Sequence, residues 1–442
     1  LVVGGSGGFV AGARCVYRSN GFSRMTPGLV LLLRMAWRNI WRNPVRSSVV
    51  FVSMGLGVWA GLFLMGWASG INDARVQDAI DDYLAHGHVH VAGYTADGTN
   101  LRALLPNASA AVAQLEARPD VRGVAPRLQV PAMVQAALGS SGLLLQGVDP
   151  QREAQLFTIP HRLPDGAFLT DTAREFNGVV VGQALAKRLD LRVGDPVVFT
   201  YQDTAATVHS TLYTVEGLYD GTSNLTEEAV AYVRLDKLAT ELGVPEAAHD
   251  LAFRVDPSAA RQKESLEAVC AQIQEDFPEF RVKSWRKTAP EMGYVDEIMA
   301  QALLLFMGIM LLAMAFGILN TMLMAILERQ RELGMLMAVG LTRQRVFALV
   351  VLETVLLTGI GLPFGLLLGH ATLVFTNRTG ISLEAFADGL AEFGISPVIY
   401  PQVVTHWYLP VVALVFVLSL LASLMPARKA VSLNPIESMR AL

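Results

Sequence analysis

The chain has 442 residues, 52% of them hydrophobic and only 17% charged, with a mean hydropathy of +0.40. That is too apolar for an ordinary soluble protein and too charged for one that is membrane throughout. The net charge of −4 gives no basic excess, and nucleic acid is not an expected partner.

Residues 1–48 read as a leader and an interfacial amphipathic helix. Leu1 to Arg24 is glycine-rich, starts without Met and ends just before Met25, as a misread start or a flexible leader would. Its GGSGG is not a phosphate loop, because such a loop places a Lys after Gly on the nucleotide phosphates and no Gly-Lys pair occurs in the chain. Arginine then recurs every fourth residue at Arg34, Arg38, Arg42 and Arg46, with Trp37, Ile40 and Trp41 beside it. This is the pattern of a helix in the membrane interface, with aromatics at the headgroup level and Arg toward phosphates. Pro44 marks the turn out of it.

Four apolar stretches follow, at 49–71, 299–327, 346–376 and 407–426, each long enough to cross a hydrocarbon core of about 30 Å. Gly57 and Gly61 in the first, and Gly361, Gly365 and Gly369 in the third, have the small-xxx-small spacing that lets helices pack closely. Glu353 is the one carboxylate within a span and lies near its inner end, where reaching the interface or pairing with an Arg is favoured over a proton relay.

The long segment 72–298 reads as a mixed α/β domain hung on helical extensions of the first two spans, with Pro290 at the second helix start. Its ends look alike. HVHVAG, AAVAQLEAR and LQVPAMVQ give strand, helix and strand, and so do LAFRV, the stretch from Gln262 to Asp276, and RVKSW. Two such units pair into a ferredoxin-like layer. Between them lies a β-rich insert with strands at GLLLQGVD, GVVVG, DPVVFTY, STLYTVEGLY and AVAYVRL, whose fold the pattern does not specify. His86, His88 and His90 would share one strand face, an arrangement that can bind a transition metal, but no Cys or acidic cluster accompanies them and no metal is expected. Cys270 sits with Leu266, Val269, Ile273 and Phe277 at helical spacing, as a buried core thiol. No nucleophile and base are paired, so neither a catalytic residue nor a bound cofactor is expected.

Lys and Arg near span ends stay in the cytoplasm. Arginines without any acidic residue precede the first span, and Arg329, Arg331, Arg343 and Arg345 lie between the second and third. Both regions, and the tail at 427–442, are therefore expected inside, with the segment 72–298 and the loop 377–406 outside.

Three edge signatures now matter together: AWRNIWRNPVRS before the first span, ERQRELGMLMAVGLTRQRV after the second, and PARKAVSLNPIESMRAL at the end. With the four-span order they resemble FtsX-like ABC transporter permeases of the MacB and lipoprotein-releasing (LolC/LolE) type, over Met35 to Leu442. Arg331, Glu332, Leu333, Gly334, Ala338 and Gly340 stand at the family's R-E-x-G-x-x-x-A-x-G positions, with Met337 where an Arg is frequent. The resemblance implies that 328–345, with Glu328, is a coupling helix docking on a separate cytoplasmic ATPase dimer, which would bind ATP and Mg. It implies a second permease copy or paralogue, a periplasmic carrier or adaptor, and work by mechanotransmission of the type VII kind. By the same resemblance, the absence of a fused ATPase and the segment GVVVGQALAKRLDLRVGDPVVF favour the lipoprotein-releasing branch, with release toward a carrier. The alternatives are a MacB-like efflux permease and an FtsX-like regulator of cell-wall hydrolases.

Overall fold

The computed structural model describes residues 27–94, 100–170, 177–256, 263–392 and 395–432. The leader at 1–24 and most of the terminal signature, at 433–442, lie outside the described residues. The chain divides into two compact units, one of Leu1–Met54, Ala313–Pro363 and Ala413–Leu442, the other of Gly55–Leu312 and Phe364–Val412. Among the described residues four helices are long and apolar enough to cross a membrane: Ser47–Leu84, Gln301–Glu328, Arg343–Thr379 and Thr405–Ser432.

The first unit opens with α1 (Pro27–Arg42), separated by a bend at Asn43 from α2 (Pro44–Ala79). Pro44 has no N–H to lose and a fixed φ, which suits a first helical position. α2 runs for 36 residues without interruption, well beyond the apolar stretch, and ends in a π-turn at Ile80–Leu84. The span and its extension are one helix.

In the second unit the domain between the spans is built on a ten-stranded sheet. The first four places in its order belong to β10 (Arg281–Ser284), β1 (Gly87–His90), β9 (Asp250–Val255) and β2 (Val121–Ala136), all paired antiparallel. With α3 (Ala108–Glu116) between β1 and β2 and α4 (Lys263–Asp276) between β9 and β10, this is the expected ferredoxin-like layer. Its core joins Val89, Val112, Leu115, Leu251, Phe253 and Ile273, and it buries Cys270, whose thiol burial pushes up to about 12.

The insert is not a separate sheet, because β2 is 16 residues long and serves both parts. Its first half pairs with β9 from Val121 to Arg127, and its second half pairs with β3 (Gly139–Val148) from Arg127 to Ala136. β8 (Val230–Arg234), β5 (Asn177–Gly182), β7 (Val208–Tyr219) and β4 (Asp165–Gly166) continue the order, and β6 (Pro196–Gln202) pairs with β2 and β7. Arg127 stands where the two halves meet. It is buried, paired with Glu153, stacked 4.0 Å over the Phe157 ring, and donates to the Tyr83 carbonyl at the end of the first-span helix.

The return helix α5 (Pro290–Glu328) is again unbroken, at 39 residues. α6 (Gln330–Ala338), α7 (Arg343–Thr379) and α8 (Tyr408–Ser432) complete the chain. Two expectations need correction. The helix of the fourth span does not stop at 426, since α8 continues through Pro426 to Ser432 into the stretch expected as tail. The segment 328–345 is not one helix: Glu328 ends α5, α6 is nine residues, and Arg343 and Arg345 already belong to α7.

The glycines of the third span pack as their spacing suggests. A Cβ on Gly361 would lie 3.0 Å from Met54, one on Gly365 only 2.6 Å from the Gly55 carbonyl, and one on Gly369 3.0 Å from Leu62. Each faces the stripe of Met54, Val58 and Leu62 on α2. The first-span glycines do not answer as expected. Gly61 has nothing within 4 Å of an added Cβ, Gly57 is half-buried, and the residue in contact is Gly55, two positions before Gly57 and so on another face of the helix. Gly365→Val should therefore lower thermal stability in detergent by about 1–3 kcal/mol through overpacking, with Gly61→Ala close to neutral. Equal melting of both variants and the parent would refute the packing.

Candidate functional site: the short helix between the second and third spans

α6 starts at the break after Arg329, whose backbone leaves the helical region with φ −104° and ψ 16°. Glu332 in the first turn suits the positive end of the helix dipole. At the other end Gly340 has φ +108°, a conformation that costs Gly nothing and other residues strain. There the Leu341 N–H donates to the Leu336 carbonyl at 3.0 Å and the Gly340 N–H to Met337 at 3.1 Å, the paired bonds of a Schellman cap. Thr342 then accepts from Arg345 and Val346 to open α7. Two sharp stops thus isolate nine residues.

The faces of α6 differ from the sequence expectation. Leu333, 4% exposed, and Gly334 are buried within the chain, so Gly334 does not offer its backbone to a partner. Met335 at 56% and Val339 at 84% are the apolar side chains turned outward, with Arg331, Ala338 and Gly340 also exposed. Sequence reasoning missed Met335 and Val339, because helical spacing alone does not say which apolar stripe faces the protein.

Glu332 is engaged inside the chain. Its carboxylate accepts from Arg42 and, at 3.1 Å, from Arg329 Nε. Burial pushes its pKa up, but the hydrogen bonds from Arg329 and Arg42 outweigh this and hold it below the usual carboxylate range. Arg329 also reaches Glu353 Oε1 through Nη1 at 2.9 Å, which gives the span carboxylate its Arg.

α1 presents the expected amphipathic pattern. Leu32, Ala36 and Ile40 are buried, with Leu32 and Ala36 packed on Leu349 of α7, while Trp37, Trp41, Arg34 and Arg38 are exposed. Trp37 and Trp41 meet edge to face with centroids 5.9 Å apart. Arg42 departs from its expected role as a lipid-facing anchor, since it pairs with Glu332. Nothing is described of the Arg46 side chain.

In the second unit the three histidines do not form a metal centre: among the described residues no group of three or more His, Cys, Asp and Glu is placed to hold an ion. His88 Nδ1 lies 2.7 Å from Asp250 Oδ2, and His86 Nδ1 accepts the Val255 N–H at 3.1 Å. His90 is 2% exposed, stacks 4.6 Å from Tyr94, and neither ring nitrogen has a hydrogen-bond partner among the described residues. Burial holds His90 down to about 4, and burial, followed by Arg254, does the same to His86.

The FtsX-like permease C-terminal family matches residues 304–435, and the MacB-like periplasmic core domain matches residues 47–275, more than half of the chain. The chain belongs to the FtsX-like permeases with a MacB-like core domain. The permease is 22% identical over 411 residues to the lipoprotein-releasing system transmembrane protein LolC of Xylella fastidiosa, across 89% of this chain and 93% of that one. It is 25% identical over 399 residues to the macrolide export ATP-binding/permease protein MacB of Nitrosomonas europaea, across 84% of this chain and 57% of that one. Against the uncharacterized ABC transporter permease YknZ of Bacillus subtilis it is 28% identical over 163 residues, spanning 36% of each protein. The solved periplasmic region of MacB from Actinobacillus actinomycetemcomitans aligns with 47% of this chain and 93% of its own, at a TM-score of 0.33 and 11% identity. The resemblance read from the three signatures is borne out, as is the four-span architecture with an α/β domain between the first two spans. The protein is an ABC transporter permease of the MacB, FtsX and LolC type in a bacterial inner membrane.

The histidines carry a pH signature. An unfolded His takes up its proton near 6.5, whereas folded His86 and His90 refuse it until about 4. The unfolded state thus binds more protons in that window, and stability is lost as pH falls through it, by at most about 1.4 kcal/mol per pH unit for each histidine. Denaturant melts of the full-length permease from pH 7.5 to 5 should show stability falling with pH, and His90→Phe should flatten that fall while leaving stability at pH 7.5 near the parent's. An unchanged slope in the variant would remove His90 from the account.

Proposed function

We propose that this permease is the non-catalytic membrane subunit of a mechanotransmission machine, in which a separate ATPase dimer with ATP and Mg docks on α6 and drives release of lipid-anchored proteins toward a periplasmic carrier. The observation that carries the docking is the outward pair Met335 and Val339 beside Gly340, an apolar knob on a helix closed at both ends. The positive-inside pattern supports placing that knob, both termini and α1 in the cytoplasm. α1 then serves as the interfacial anchor through Trp37, Trp41, Arg34 and Arg38.

The unbroken helices α2 and α5 support transmission, because a helix carries an axial displacement with little loss where a loop would absorb it. A second permease copy or paralogue would complete the assembly around the ATPase dimer. Lipoprotein release is supported by the match to LolC proteins along 93% of their length. A second reading, efflux, is favoured by the MacB match over 84% of this chain.

The purified permease should not hydrolyse ATP, since it has no Gly-Lys phosphate loop, and turnover should appear with the partner ATPase. Met335→Asp and Val339→Asp should insert normally yet lose copurifying ATPase by tenfold or more, about 1.4 kcal/mol or above at a desolvated contact. Retention of the ATPase by both variants would place the docking surface elsewhere.

Depletion of the permease in cells distinguishes the two cargos. Lipoproteins retained in the inner membrane support release. Normal sorting with a fall in drug export supports efflux.

A further inference from the structure

At the membrane edge of the first unit four charged side chains form an unbroken alternating series. Glu353 on α7 accepts from Arg329 Nη1 at 2.9 Å, Arg329 Nε donates to Glu332 on α6 at 3.1 Å, and Glu332 accepts from Arg42 at the end of α1. The series therefore ties the short helix to two of its neighbours at once. Beside it, a cavity of about 30 Å³, room for about one water, is lined by Asn39, Asn43, Ser47, Arg329 and Glu353 among others.

The two ends of the series differ in strength. The Arg42 and Glu332 side chains are 50% and 40% exposed, and a pair so wet is weak alone. Arg329 and Glu353 are 16% and 12% exposed, so removal of the guanidinium would leave one carboxylate largely buried and two carboxylates without their shared cation. Arg329 is the hub because its planar fork reaches both at once, which a Lys ammonium does not reproduce.

What the series fixes follows from helix geometry. Glu332 lies three residues before Met335 and seven before Val339, so the three share one side of α6. A helix of nine residues, held by Leu333 and Gly334 on its inner side, is free to roll unless something fixes its azimuth. A carboxylate gripped from two directions does so.

Resting on the proposed docking of an ATPase at α6, we propose that Arg42, Arg329 and Glu353 are positioning residues acting through Glu332, and that they set the rotation of α6 so that Met335 and Val339 face the ATPase. In the partner-loaded machine, a push on α6 would then be passed to α1 and α7 through the same ion pairs.

The test uses the full-length permease in nanodiscs. Spin labels at Arg38→Cys and Met335→Cys, with Cys15 and Cys270 replaced by Ser, report the separation of α1 and α6 without any ATPase. The parent should give one narrow distance peak. Arg329→Gln should broaden it, with the main peak falling about twofold or more, Arg329→Lys should behave like Gln, and Arg42→Gln should have a smaller effect of the same kind. Reversal of all four charges together, with Arg42→Glu, Arg329→Glu, Glu332→Arg and Glu353→Arg, restores alternation and should sharpen the peak again, which a loss of general packing would not do. Should Arg329→Gln fail to fold, the exposed Arg42→Gln decides. A parent-like peak in Arg42→Gln and in Arg329→Gln, or a fourfold reversal that folds but stays broad, would overturn the proposal. The expected broadening in a permease whose parent form binds no ATPase would instead sink the docking reading and leave the grip on α6 standing.

Discussion

The guanidinium of Arg127 is the group around which the inter-span domain is organised. It touches the end of the first-span helix through the Tyr83 carbonyl, sits in the strand shared by both parts of the sheet, and holds the insert through Glu153 and Phe157. Burial opposes its charge while Glu153 favours it, and the net effect raises its affinity for the proton. Such a pair adds little to stability over an apolar replacement, yet loss of one partner strands a buried charge at a cost of about 3–5 kcal/mol. Its value is geometric: it permits one arrangement of stalk, layer and insert and disfavours the rest.

That economy explains what was legible in the sequence and what was not. The spans, the paired strand-helix-strand units and the insert strands each follow from a local period, and each was readable from a window of ten or twenty residues. β2 was readable only in part. The readable part, LQVPAMVQ, covers only its second half, and the strand tolerates Pro126 and Pro131 because its pairing passes from β9 to β3 near those positions, with Arg127 at the change. The insert's place in the same sheet depends on that single long strand, so no local pattern could announce it.

The helix between the second and third spans shows the same limit at the candidate site. Arg331, Glu332, Gly334 and Gly340 could be found by pattern, but which of them face a partner depends on contacts between residues far apart in the chain. Glu332 is gripped by Arg42, 290 positions away, and Gly334 is buried, so two of the residues that looked most like contacts serve the permease's own packing. For the proposed docking, the surface left is the plainer one, a methionine and a valine.

This division of labour suits the force-transmitting role proposed for α6. A docking surface made of apolar side chains gives affinity without a fixed register, whereas charges exposed there would be screened by salt and would orient weakly. Charges paired across α1, α6 and α7 gain from the partial burial of Arg329 and Glu353 and hold direction. The glycine row at Gly361, Gly365 and Gly369 adds a second constraint farther along α7, since Gly365 packs on the Gly55 backbone of α2 while Gly361 and Gly369 close on the Met54 and Leu62 side chains. α7 therefore carries rigid attachments at two levels, an ion pair near one end and close backbone packing along its middle, and α2 continues past the membrane stretch to the carbonyl that Arg127 holds. Rigidity at each joint, rather than any single strong interaction, is what the proposed transmission from α6 would require.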